Sequence, residues 1–157
     1  MSFSQAIRSG FANYVNFAGR AARSEYWYWV LFVSLVGIAA TALDRAFVAN
    51  RHGPLEVVWH LATVLPSLAL GVRRLHDTDR SGWWLVAVFA ASAALVVFFV
   101  FVGLPFVPMA ITVIGALVLI YWLVLFWWFC QPGTRGPNSY GADPFGAAGD
   151  ITPRPTA

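Results

Sequence analysis

Apolar and polar positions divide the chain into long apolar runs separated by short charged or Gly/Pro-rich stretches. Tyr26–Leu43 runs eighteen residues without a charge, near the roughly 20 needed to span about 30 Å of hydrocarbon. Its start, Tyr26-Trp27-Tyr28-Trp29, reads as an interfacial aromatic belt, and Ser34, Gly37 and Thr41 share one face suited to close helix packing. Leu55–Val72 is a second run. Within it Glu56, His60, Thr63, Ser67, Gly71 and Arg74 recur at steps of three and four, an arc of roughly 80° at about 100° per residue. Pro66 inside this run predicts a kink and a freed carbonyl near Ala62. From Trp83 to Gln131 forty-nine residues carry no charge, too many for one span. The break at Gly103-Leu104-Pro105-Phe106-Val107-Pro108 splits them into helices over 83–102 and 109–129, with small faces at Ala87, Ala91, Ala94 and at Thr112, Gly115, Ala116.

The flanks read differently. Phe3, Ile7, Phe11, Tyr14 and Phe17 or Ala18 have helical spacing, which predicts an amphipathic interfacial helix over residues 2–18. Beyond Gln131, the prolines and glycines from Pro132 to Gly146 predict irregular turns, followed by a disordered tail over 146–157. The expected fold is an all-α membrane protein with four transmembrane helices (about 26–43, 55–72, 83–102 and 109–129) in one membrane-embedded domain, residues 1–145. There is no internal repeat.

Composition agrees with the pattern: 59% of the residues are hydrophobic and 11% charged, far from soluble averages of about 45–50% and 25%. All ten basic residues are arginines, and the net charge is +3. With both termini in the cytoplasm, Arg8, Arg20, Arg23, Arg73, Arg74, Arg80, Arg135 and Arg154 lie inside, and only Arg45 and Arg51 lie outside. The arginines flank apolar segments instead of forming one patch, which excludes a nucleic-acid footprint. The lone Cys130 excludes an internal disulfide and a multi-cysteine metal site. Residues 1–23 lack the continuous apolar core of a cleaved signal peptide.

Five charged side chains crowd into residues 73–80, between apolar runs, in Arg73-Arg74-Leu75-His76-Asp77-Thr78-Asp79-Arg80-Ser81-Gly82-Trp83-Trp84. This stretch, with Phe17-Ala18-Gly19-Arg20-Ala21-Ala22-Arg23-Ser24-Glu25-Tyr26-Trp27 before it and Cys130-Gln131-Pro132-Gly133-Thr134-Arg135-Gly136-Pro137-Asn138-Ser139-Tyr140-Gly141-Ala142-Asp143-Pro144 after it, resembles the bacterial inner-membrane family called domain of unknown function 805. The resemblance implies a small multi-pass membrane protein without an assigned activity. Shorter members of that family have much less sequence between the Trp-Trp pair and the Gln-x-Gly turn, so the Trp83–Phe129 hairpin reads as an elaboration, as two full spans or a re-entrant pair.

The three motifs all fall at the cytoplasmic interface. The expectation is one polar cap locking the helix ends, built from Arg20, Arg23, Glu25, Arg73, Arg74, His76, Asp77, Asp79, Arg80, Asn138, Tyr140 and Asp143. Spacing offers Asp77 to Arg73 (i,i+4) and Arg74 (i,i+3), and Ser81 as a cap for the next helix. The same arginines offer a site for anionic headgroups. The seam Glu56, His60, Thr63 and Ser67 offers either hydrogen-bonded packing or, as the alternative, a proton or solute path of a small transporter or channel subunit. His76, Asp77 and Asp79 lack the spacing of a zinc site. Ser81 and Ser139 lack a nucleophile-elbow context, and no phosphate-binding glycine loop is present. Cys130 reads as a buried inert thiol, with lipidation at the interface as the alternative. The expected role is non-catalytic, structural or lipid-binding, without a cofactor. The expected partners are the bilayer, anionic lipid, other copies or other membrane proteins, and not nucleic acid.

Overall fold

The structure is a computed structural model. It describes residues 1–47, 53–102, 107–144 and 146, with the backbone alone for 99–102 and 107–114. The loop residues Arg51 and His52, the break at 103–106, the Thr112 side chain and the tail from 147 onward lie outside the described residues. The five helices are α1 (Phe3–Ala12), α2 (Arg23–Phe47), α3 (Pro54–Asp77), α4 (Trp83–Val102) and α5 (Val107–Cys130). Among the described residues there is no strand, only an isolated bridge between Asn138 and Gly141. By length and composition, α2 and α3 are apolar enough to cross a membrane. The described parts of α4 and α5 are apolar throughout.

α1 begins with a reciprocal cap. The Ser2 hydroxyl accepts the Gln5 N–H, and the Gln5 side chain accepts the Ser2 N–H. The helix ends at Ala12, short of the Ala18 that spacing suggested. Asn13 explains the stop: its side-chain amide and its backbone N–H both donate to the Ser9 carbonyl. Asn16 then donates its side-chain amide to Asn13 Oδ1 and accepts the Ala18 N–H, so the asparagines compete with the helix for its backbone groups. Tyr14 and Phe17 therefore lie beyond the helix. α1 meets α2 through small residues, Ala6 and Gly10, while Phe3 and Phe11 stay partly exposed at the rim.

Trp29 fills that contact. Its ring is 1% exposed, lies 5.1 Å from Phe11, and donates its indole N–H to Ser67 Oγ at 3.0 Å. Trp29 thus departs from the aromatic belt expected at Tyr26–Trp29. The ring turns inward because Gly10 leaves space for it and Ser67 offers an acceptor.

α2 and α3 pack antiparallel along their lengths. At one end the buried Asp44 accepts the Leu55 and Glu56 N–H groups, so a side chain of α2 caps α3. Further along, Trp59 donates to the Val33 carbonyl at 3.0 Å. Pro66 sits inside α3, and the Ala62 carbonyl, which Pro66 leaves without its usual i+4 donor, accepts the Tyr14 hydroxyl at 2.7 Å. Tyr14→Phe should cost about 1 kcal/mol by removing that donor. A drop in melting temperature in detergent, absent in a Tyr28→Phe control, is the expected readout.

α3 does not stop at Val72. It runs through Arg73, Arg74, Leu75 and His76 to Asp77, so most of the charged stretch is a helix end and only residues 78–82 form the turn into α4. Ser81 Oγ accepts the Trp83 N–H, the first-turn role its position suggested. α4 and α5 meet through aromatic contacts: Trp84 against Trp128 and Phe89 against Trp122, each at 5.5 Å. The Tyr121 hydroxyl adds a hydrogen bond to the Trp84 carbonyl. Leu75, Leu85, Val88, Leu125 and Phe129 form one buried cluster at the charged end of the helices, with Tyr26 packed on it. The core therefore sits directly beneath the charged residues.

Candidate functional site

The site starts as a problem of helix ends. The last four carbonyls of a helix lack intrahelical donors. At the end of α3, donors come from two other segments, one before α2 and one after α5, and from the turn at Thr78–Arg80, which closes the Leu75 carbonyl. Ala21 N–H donates to the Arg73 carbonyl, Asn138 Nδ2 to that of His76 at 2.8 Å, and Thr134, through its N–H at 2.8 Å and its hydroxyl at 3.1 Å, to that of Asp77. The end of α5 is closed by guanidinium groups. Arg74 donates through Nε to the Phe129 carbonyl at 3.2 Å and through Nη2 to that of Gln131, and Arg23 reaches Cys130 O at 3.3 Å.

Asp77 joins these two closures. Arg20 Nε donates to Oδ1 at 3.0 Å, and Arg74 Nη1 donates to Oδ2 at 2.5 Å. The three side chains are 1%, 0% and 4% exposed for Arg20, Arg74 and Asp77. Arg20 also donates through Nη2 to the Thr134 carbonyl at 2.5 Å and to Asp77 Oδ1 at 2.9 Å, and through Nη1 to the carbonyls of Gly136 at 2.6 Å and Gly141 at 3.4 Å, so a guanidinium with five N–H groups is fully engaged. Gly133 lies so close that a Cβ there would stand 2.1 Å from Asp77 Oδ2. Only glycine fits at that point.

A second layer lies beside this triad. The His76 ring stacks on Tyr140 at 3.9 Å and 6°, and its Nδ1 is 3.1 Å from the Gly19 carbonyl. Asp79 adopts φ 57°, a left-handed conformation that aspartate tolerates, and accepts the Ser139 N–H. Asp143 accepts the Gly136 N–H at 3.0 Å. Residues 131–144 are thus held by side chains from α3 and from the strand-free segment before α2. Arg80 lies over the Trp128 ring at 4.6 Å.

The sequence-predicted residues divide in a specific way. Arg20, Arg74, His76, Asp77, Asp79, Asn138, Tyr140 and Asp143 meet in one network, with Arg23 at its rim. Arg73 and Glu25 form a neighbouring pair. The spacing offered Arg73 to Asp77, but its Nη1 lies 3.5 Å from Glu25, which also accepts the Ser9 hydroxyl at 2.8 Å. The reason is direction: consecutive residues on a helix diverge by about 100°, so Arg74 faces α5 while Arg73 faces α1 and α2. Arg73 and Arg74 are also both buried, which removes them as the headgroup ligands that their charge suggested.

Several participants had no signal in the sequence. The carbonyls of Phe129, Gln131 and Gly136 are backbone groups that every residue carries. Ser9 lay outside the motifs. Gly133 and Thr134 belong to a motif, but their role depends on where α3 ends.

The seam along α3 does not form a continuous line. Ser67 accepts from Trp29, and Thr63 donates to the Trp59 carbonyl of its own helix. His60 is 65% exposed, lies 3.9 Å from Glu56, and borders a separate groove with Ser34, Gly37, Thr41 and Arg45. Among the described residues, no group of three or more His, Cys, Asp or Glu side chains gathers as a metal site.

Comparison with known proteins places these features in context. The profile of the family described as "Protein of unknown function (DUF805)" matches residues 14–142, a range that contains the first two motifs and all but the last two residues of the third. The chain is 41% identical over 133 residues to the inner membrane protein YhaI of Escherichia coli K12, covering 84% of this chain and 88% of that protein. It is 34% identical over 135 residues to the inner membrane protein YhaH of the same organism, covering 84% and 89%. No solved structure matches the chain.

Proposed function

This chain belongs to the DUF805 family, and from that premise we propose that it is a multi-pass inner-membrane protein with a non-catalytic, structural role. In this reading α2, α3, α4 and α5 are four spans of one domain, both termini are cytoplasmic, and α1 lies at the cytoplasmic interface. The polar cap is a clamp that holds the cytoplasmic ends of the spans in one arrangement. The observation that carries the reading is Asp77, held between two buried arginines whose other donors close the end of α5 and the turn that follows it. Groups engaged in this way are not available for turnover. They also resolve the cost of arginine near hydrocarbon, roughly 2.5–3.5 kcal/mol at a span centre, by neutralisation and by a hydrogen bond at every guanidinium nitrogen of Arg20 and Arg74. The names of the two relatives and the eight-to-two distribution of arginines support the location and the orientation.

Single cysteines on a Cys130→Ala background test the topology with a membrane-impermeant maleimide. Ala46→Cys, at the end of α2, and Leu104→Cys, between α4 and α5, should label in intact spheroplasts. Ser139→Cys should label only after lysis. Labelling of Ser139→Cys in intact cells would overturn the orientation. Protection of Leu104→Cys would overturn the four-span count in favour of a re-entrant pair.

A further inference from the structure

Beside the clamp lies a cavity of 330 Å³, bordered by Arg20, Arg23, Ser24, Gly133, Arg135 and Asp143, with Asp77 behind them. We propose that it is a binding site for a phosphate-bearing anion, with Arg23 and Arg135 as the ligating side chains. The inference rests on the clamp reading above in one respect: the clamp decides which arginines are free.

The charges around the cavity do not cancel. Asp77 is matched on both oxygens, by Arg20 and by Arg74. Arg20 has spent its donors on Asp77 and on carbonyls. Asp143 accepts the Gly136 N–H and keeps its charge, so the lining sets three arginines (Arg20, Arg23, Arg135) against two carboxylates (Asp77, Asp143), a net +1. Arg23 spends only Nη1, on a 3.3 Å contact with Cys130 O, and its side chain is exposed. Arg135 is exposed and makes no hydrogen bond or ion pair among the described residues. Two guanidinium forks therefore border one cavity with most of their donors unspent. Planar forks match the oxygens of a phosphate, and they bind it better than a single point charge would. Ser24 lines the same wall.

Size narrows the ligand. The volume lies at the lower end of small-molecule sites, about 300–1,000 Å³, so it holds a headgroup or a small phosphate and not a whole lipid. The start of α2 borders the cavity, so a phospholipid of the cytoplasmic leaflet can place its phosphate there while its chains stay in the bilayer. A free phosphate from the cytoplasm presents the same chemistry.

The test uses the full-length protein in mild detergent, with two probes measured separately. Native mass spectrometry reads retention of phosphatidylglycerol against phosphatidylcholine. Calorimetry reads binding of inorganic phosphate to delipidated protein. The double variant Arg23→Gln/Arg135→Gln should weaken whichever probe binds by at least about tenfold, while Arg80→Gln, whose arginine sits over Trp128 away from the cavity, should not. Phosphatidylglycerol retained and not displaced by phosphate identifies a lipid headgroup as the source. Phosphate binding that displaces lipid, or phosphate binding alone, identifies the free anion. Equal retention by the double variant, or no binding of either probe to the wild-type protein, overturns the proposal. Because Arg23 and Arg135 are exposed and the one hydrogen bond lost is the 3.3 Å contact of Arg23 with Cys130 O, the double variant should stay folded and melt within a few degrees of the wild type. A folded, clamped protein that binds neither probe would refute this site while leaving the clamp intact, whereas outside labelling of Ser139→Cys would refute the cytoplasmic clamp whatever the binding result.

Discussion

Asp77→Ala is expected to destabilise the protein by about 3–5 kcal/mol, the range for removing one partner of a buried ion pair. The size follows from what remains. Arg20 and Arg74, at 1% and 0% exposure, would keep their charges with no carboxylate between them. Their carbonyl partners would persist, but a carbonyl dipole does not neutralise a charge. The turn at Gly133–Thr134 would also lose the side chain it packs against. Asp77→Asn retains the shape and should fall between the wild type and Asp77→Ala. The measurement is thermal unfolding in detergent, together with the fraction recovered as a monodisperse species. Wild-type behaviour of Asp77→Ala in both would sink the clamp.

The second large effect is expected at Gly10. An alanine Cβ there would stand 2.3 and 2.4 Å from two carbons of the Trp29 ring, closer than such atoms approach. The ring cannot swing away cheaply, because it is buried and its N–H is bonded to Ser67. Overpacking of this kind costs about 1–3 kcal/mol. Intrinsic propensity acts in the opposite direction: Gly to Ala inside a helix favours the helix by up to about 1 kcal/mol. Net loss therefore identifies the packing and not the helix as the cause. α1 should lift from α2, and limited proteolysis should cut within residues 1–20 faster than in the wild type. An unchanged digestion pattern and melting temperature would show that Trp29 adjusts and that α1 is not docked through this contact.

Helix existence was legible because apolar runs are long and local. The segment over 83–102 corresponds to α4 at both ends. The ends of α2 and α3 extend further than their apolar runs, from Arg23 and to Asp77. An apolar run marks the stretch that avoids water, while a helix continues as long as its terminal backbone groups find partners. Asp77 found them in Thr134, fifty-seven residues away. At the other extreme, Asn13 ended α1 early by offering its own side chain.

The sequence by itself determined that the regular elements among the described residues are helices, that its family motifs carry a concentrated polar network, and that Arg74 and Asp77 would meet, because these depend on residue type and spacing within one element. Pro66 marked the Ala62 carbonyl for the same reason. Only the tertiary structure decided that Arg73 would turn to Glu25, that Arg20 would take the second oxygen of Asp77, that Trp29 would be buried, and that Arg23 and Arg135 would be left with donors to spare. These outcomes depend on which helix faces which, and on backbone carbonyls that every residue carries and no sequence pattern distinguishes.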